Sequence, residues 1–245
     1  MAARIIRIGT AGWSIPAANR ERFSGAGSQL ERYVRVMNAI EINSSFYRPH
    51  QCKTYEKWAA MTPADFWFAV KTPRHVTQFQ RMRDPEPVLS QFADEVSGLG
   101  RKLGVLLVQL PPSLRFEESV ADEFFGVLKE KLSATIACEP RRPSWFTPDV
   151  DRWMKARRIA RVAADPAPVP GAGEPGGWRG LTYIRLRGSP RICWSAYAAP
   201  FLKKVASTLN AQTSTAWCIL DNTAQGHALG DALTVMKHVM EPEDA

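Results

Sequence analysis

Short apolar runs with strand character alternate with stretches of helical period along most of the 245-residue chain. In order, the strand-like runs are RIIRIGT (Arg4–Thr10), AIEINS (Ala39–Ser44), WFAVKTP (Trp67–Pro73) and GVLLVQLPP (Gly104–Pro112). They continue with TIACEP (Thr135–Pro140), IARVAADP (Ile159–Pro166), LTYIRLRG (Leu181–Gly188) and AWCILDN (Ala216–Asn222). The fourth is apolar almost throughout, as expected of a parallel strand covered on both faces. Its two prolines, which lack the donor a sheet needs, end it.

Between these runs the pattern turns helical. Ser28 followed by Glu31 reads as a capping box; it opens a helix with Leu30, Tyr33, Val34 and Met37 on one face. Further helices are expected around Tyr55–Met61, Pro85–Leu99, Ser119–Lys131, Ala199–Ala211 and Ala228–Met240. Thr147 before Pro148 pairs an N-cap with proline at the first helical position and opens another. Only Pro166–Gly180 breaks the rhythm: rich in proline and glycine, it fits a loop in place of a sixth helix. Eight strands separated by helices with no internal linker predict one domain over residues 1–245, a parallel TIM-type (β/α)8 barrel. A doubly wound open sheet is the alternative, but no GxGxxG loop follows the first strand to support it.

In such barrels the working groups sit at the C-terminal ends of the strands. Here those ends read Thr10, Glu41, Asn43, Lys71, Gln109, Glu139, Arg141, Asp165, Arg185, Arg187, Asp221 and Asn222. Strand alternation puts Glu41 and Asn43 on one face, and Arg185 and Arg187 on another. Burying such groups unpaired costs several kcal/mol each, so they require a ligand, water or one another. Two readings follow, a ligand site and an ion-paired plug. Trp13, Phe46, Tyr47, Trp145, Trp194 and Tyr197 are expected to flank this end, as aromatic walls do around small-molecule pockets.

Composition alters this picture little. Hydrophobic residues at 45% and charged residues at 23% are ordinary for a globular protein. The net charge of +8 favours anionic partners, but the basic residues are scattered and form no recognisable nucleic-acid module. Cys52, Cys138, Cys193 and Cys218 offer no zinc spacing and read as free thiols in a reducing compartment. No apolar stretch approaches the roughly 18–20 residues that span a bilayer. The N-terminal stretch has no apolar core of a signal peptide, so a cytoplasmic location without membrane contact is expected. No feature specifies an oligomeric state.

Several segments together resemble a known family. IGTAGWS, AIEINSSFYR, FAVKTPR, LGVLLVQLPPS, EPRRPSW, YIRLRG and DNTAQGHALGDAL occur in the order found in the YecE-like family, "domain of unknown function 72". The likeness runs from about Ile8 to Leu233 and implies a TIM-type barrel, without implying an activity. Its matched polar positions are Glu41, Asn43, Tyr47, Lys71, Gln109, Glu139, Trp145, Arg185 and Asn222. The chain departs from the family pattern where histidines are common, at Arg142, at Arg187 and near Gln78.

The chemistry expected first is that of an enzyme acting on a small anionic or phosphorylated metabolite. Lys71 with Arg185, helped by Arg141 or Arg187, would hold the anion. Glu41 and Glu139 would be the acid/base pair, with Asn43, Tyr47, Gln109, Trp145 and Asn222 binding the substrate. A divalent metal on Glu41, Glu139, Asp165 and Asp221 is a less favoured variant, since no HExxH motif or sequence-local ligand cluster accompanies them. The alternatives are a non-catalytic ligand-binding barrel and a nucleic-acid-binding protein.

Overall fold

The computed structural model describes residues 5–241. Arg4, the first residue of the predicted N-terminal strand, lies outside them. Ten strands form: β1 Ile6–Thr10, β2 Ala39–Ile42, β3 Trp67–Lys71, β4 Leu103–Gln109, β5 Thr135–Glu139, β6 Ile159–Arg161, β7 Ala163–Asp165, β8 Gly176–Gly177, β9 Leu181–Leu186 and β10 Thr215–Leu220. Seven α-helices accompany them: α1 Gln29–Tyr33, α2 Cys52–Ala60, α3 Glu86–Val96, α4 Glu118–Lys131, α5 Pro148–Ala156, α6 Ala199–Asn210 and α7 His227–Met240.

The strands make two sheets, which corrects the expectation of a single eight-stranded parallel barrel. One sheet has the order β1-β10-β9-β7 and the other β2-β3-β4-β5-β6-β8. All pairs are parallel except β6–β8, which is antiparallel.

Two local causes divide the ladder. The predicted sixth strand breaks at Val162, so its first part (β6) pairs with β5 and its second (β7) with β9. The free edge of β6 is then taken by the Gly-Gly strand β8, where a Cβ on Gly177 would lie 2.5 Å from the Ile159 carbonyl oxygen. Between β1 and β2, side chains replace the ladder. The Asn38 amide accepts from Ile8 N at 2.8 Å and donates to the Ile6 carbonyl at 3.0 Å. The Tyr33 phenol accepts from Thr10 N and donates to the Ala39 carbonyl. With the edge groups of β1 satisfied this way, a single bridge, Ala11 to Glu41, joins the two strands.

Strand alternation sorts side chains into two cores. Ile40, Val70, Leu106, Cys138, Ile184 and Cys218 pack outward beneath the helices, against residues such as Phe92, Phe124 and Leu209. The opposite faces supply a separate inner cluster that includes Ala39, Ala69, Leu107, Ala137, Val162, Tyr183 and Ile219. The helices bury apolar stripes against the sheets: Leu89, Phe92 and Val96 on α3, and Leu202, Val205, Ala206 and Leu209 on α6. Both predicted caps form. Ser28 and Glu31 complete the capping box, and Thr147 accepts from Val150 N at 3.3 Å. Between β7 and β9 the described residues hold turns and β8 but no helix. No helix among the described residues is long and apolar enough to cross a membrane.

Candidate functional site

Two residues beyond the last inner apolar position on six of the strands, the same alternation places a polar side chain. Ala39 is followed by Glu41, Ala69 by Lys71, Leu107 by Gln109, Ala137 by Glu139, Tyr183 by Arg185, and Ile219 by Asp221. All six polar side chains are buried. The sequence thus lays a charged layer directly upon an apolar one at the C-terminal ends of the parallel strands.

Arg185 organises that layer. Its Nη2 donates to Glu41 Oε1 at 2.8 Å and its Nε to Oε2 at 3.1 Å, a bidentate grip on a carboxylate with no exposed surface. The same guanidinium reaches Asp221 Oδ2 at 2.9 Å and Glu139 Oε2 at 3.4 Å. Tyr183, one alternation before Arg185, donates its hydroxyl to Glu41 Oε2 at 2.8 Å. Glu139 Oε1 accepts from Gln109 Nε2 at 3.0 Å and from Arg141 Nη2 at 3.0 Å. Burial pushes the Glu139 carboxyl up, but the cations of Arg185, Arg141, Arg187 and Lys71 outweigh it and hold it at about 2. Asp221 moves the other way: burial raises it despite the attraction of Arg185.

Two cations in this layer have no carboxylate partner among the described residues. Lys71 has no carboxylate within 4.0 Å; its Nζ sits 3.9 Å from the centroid of the Phe46 ring. Burial, reinforced by the like charge of Arg185, lowers its ammonium to about 8 against the pull of Glu41, Glu139 and Asp221. Arg187 donates one Nη to the Pro166 carbonyl at 2.8 Å, while its buried Nε has no hydrogen-bond partner. Burial lowers its affinity for a proton as well.

Of the predicted site residues, the structure brings together Glu41, Lys71, Gln109, Glu139, Arg141 and Arg185. The other four lie apart from this network. Strand β2 ends at Ile42, and Asn43 turns into helical backbone (φ −88°, ψ −20°), so it does not continue the face of Glu41. Tyr47 is 60% exposed beside the neighbouring cavity of Phe46, Arg74 and Phe79. Trp145 is a core residue: its indole donates to the Leu114 carbonyl and its ring packs on Phe116. Asn222 ties loops together by donating to the Ser195 carbonyl and to Asp231 Oδ2. Among the expected aromatic flankers, Tyr197 is buried and bonds Asp165 Oδ1 at 2.8 Å.

Tyr183 was absent from the expected site. It shares the face of Arg185 at a spacing of two, and that spacing is the signal that finds it. Cys193, at a left-handed φ of 68°, donates its N–H to the Arg187 carbonyl, and burial, then the charge of Asp221, pushes its thiol up. Nothing local in the sequence announces that. Among the described residues no three His, Cys, Asp or Glu side chains converge as metal ligands.

Comparison with known proteins follows the same outline. A family model described as "Protein of unknown function DUF72" matches residues 7–245. A curated relative, UPF0759 protein YecE of Escherichia coli (strain K12), is 27% identical over 180 residues, covering 67% of this chain and 61% of that protein. The match therefore spans about three-fifths of the curated relative's length. A solved DUF72 family protein from Enterococcus faecalis V583 superposes with a TM-score of 0.79 at 18% identity, over 98% of this chain and 97% of that one. Another, from Thermotoga maritima MSB8, gives 0.76 at 22% identity over 98% and 100%.

Proposed function

The chain belongs to the DUF72 family of proteins of unknown function, and we propose that it binds a small carboxylate or phosphate ester at the C-terminal ends of its parallel strands and acts on it there. The observation that carries this reading is the pair of buried cations, Lys71 and Arg187, left without carboxylate partners in a layer that otherwise pairs its charges. The layer holds four cations (Lys71, Arg141, Arg185 and Arg187) against three carboxylates (Glu41, Glu139 and Asp221). Buried charge of one sign is costly unless a partner arrives, and an anion is the partner that fits.

In this reading each side chain has a separate task. Lys71 and Arg187 hold the anion, with Arg141 at the more exposed edge. Lys71 also exchanges a proton near neutral pH, since its ammonium is already weakened by burial. Glu139 stays ionised and accepts hydrogen bonds. Glu41, closed off by Arg185 and Tyr183, acts through Arg185 by fixing its plane. This assigns part of the layer to an ion-paired support and part to ligand binding.

The test is calorimetric titration with inorganic phosphate, a sugar phosphate and short hydroxy acids, repeated on Lys71→Met and Arg187→Gln. Saturable binding of one class, weakened about tenfold or more in each variant, as expected when a charged hydrogen bond is lost, is the predicted result. Equal binding by all three proteins, or no binding of any anion, would overturn the reading.

A further inference from the structure

A cavity lies beside the charged layer and shares the Phe46 ring with it. It encloses about 430 Å3, the size of a small-molecule pocket. Phe46, Pro49, Pro73, Val88 and Phe92 form an apolar part of its wall, and Arg48, His75, Gln91 and Glu95 a polar part. Two large aromatic side chains at its edge remain open to solvent, Tyr47 at 60% and Phe79 at 63%. The Arg74 guanidinium lies 5.5 Å from the centroid of each ring. Arg74 has no carboxylate within 4.0 Å among the described residues, so its donors are free for an anion.

The backbone here is shaped to present these groups. Residues His75–Phe79 form a π-helical turn, closed by Gln80 N donating to the His75 carbonyl at 2.9 Å. Single π-turns are uncommon and recur at functional sites. This one turns Phe79 outward while burying Val76 and Thr77.

An independent observation comes from the cavity's inner side. Behind the cavity the Tyr55 side chain is fully buried, and its phenol interacts with Ser45 and with the charge of Glu95, both of which line the cavity. Burial and the charge of Glu95 raise the phenol's proton affinity, so it remains a neutral donor.

We infer that this cavity is a binding site for a small aromatic anion, a flat ring carrying a carboxylate or phosphate. The ring lies against Phe79 and Tyr47 beside the apolar part of the wall, and the anionic group takes the open donors of Arg74. The site does not rest on the anion-binding role of Lys71 and Arg187.

The experiment is isothermal titration of the full chain with phenyl phosphate, using benzyl alcohol and inorganic phosphate as half-ligands. Phenyl phosphate is expected to bind at least tenfold more tightly than either half. Phe79→Ala and Arg74→Gln, both at exposed positions that leave the core intact, are each expected to weaken it about tenfold. Inorganic phosphate binding as tightly as phenyl phosphate would overturn the inference, because the ring would then contribute nothing. So would wild-type affinity for phenyl phosphate in both variants.

Discussion

Replacing Arg185 with methionine tests how the charged layer is held together. The guanidinium is 1% exposed and touches three carboxylates: Glu41 at 2.8 Å, Asp221 at 2.9 Å and Glu139 at 3.4 Å. Glu139 keeps Arg141 and Gln109 after the change, and Glu41 keeps the Tyr183 hydroxyl. Glu41 and Asp221 lose the one ion-pair partner each has among the described residues. Breaking a buried pair by removing one member costs about 3–5 kcal/mol. In a domain of this size each kcal/mol is worth about 2–4 °C, so Arg185→Met is expected to lower Tm by roughly 6–20 °C.

The pH dependence of that deficit adds a second readout. Without Arg185, Glu41 and Asp221 sit buried beside each other's charge, and their folded pKa values rise above the unfolded ones. The deficit should therefore shrink as pH falls from 7 toward 5. Adding Glu41→Gln to Arg185→Met removes the stranded charge and should recover part of the loss. Urea unfolding of the wild type, the two single variants and the double variant at pH 7 and pH 5 measures all of this. A single-variant loss under about 1 kcal/mol would refute the reasoning, because the pair would then be behaving as a solvated one. Simple additivity in the double variant would refute it too, since coupled neighbours do not add.

Further expectations follow from other positions. Glu139, at about 2 in the folded chain against an ordinary 4.5, contributes stability that is present above about 4.5 and lost as pH falls toward 2. Acid unfolding of Glu139→Gln should accordingly show a flatter limb across that window, and an unchanged limb would contradict the assigned shift. Gly9→Ala should destabilise by about 1–3 kcal/mol, because the added methyl would stand 2.2 Å from the Ala39 carbonyl oxygen and force β1 from β2; chemical denaturation checks this directly. Trp145→Phe should lower stability by about 1 kcal/mol through its lost bond to Leu114 without altering anion affinity, and a selective loss of binding would return Trp145 to the site.

The alternation of apolar and polar positions carried the inner layer well. Glu41, Lys71, Gln109, Glu139 and Arg185 could be placed together because each strand keeps a strict period of two up to its end. Past that end the rule fails. Asn43 follows a strand that has already turned helical, Asn222 is drawn toward Asp231 on α7, and Trp145 drops into the core through a short 3-10 turn. The division into two sheets was hidden for a related reason. Nothing in IARVAADP marks Val162 as the point where hydrogen bonding changes partner, because the inner-face alternation runs through it from Ala160 to Val162. At the other seam, the groups that replace the ladder, Asn38 and Tyr33, act across long sequence separations that no local pattern encodes.

The central claim is that Lys71 and Arg187 form an anion site, and the most direct test is the affinity for sulfate between pH 6.5 and 9.5. Sulfate does not titrate in that range, so any change belongs to the protein. With the Lys71 ammonium at about 8, the affinity should be steady at low pH and fall as pH rises through 8. Lys71→Met should bind more weakly and lose that dependence. A pH-independent affinity in the wild type, or an equal fall in Lys71→Met, would mean that the anion is held elsewhere and that the layer is an ion-paired support alone.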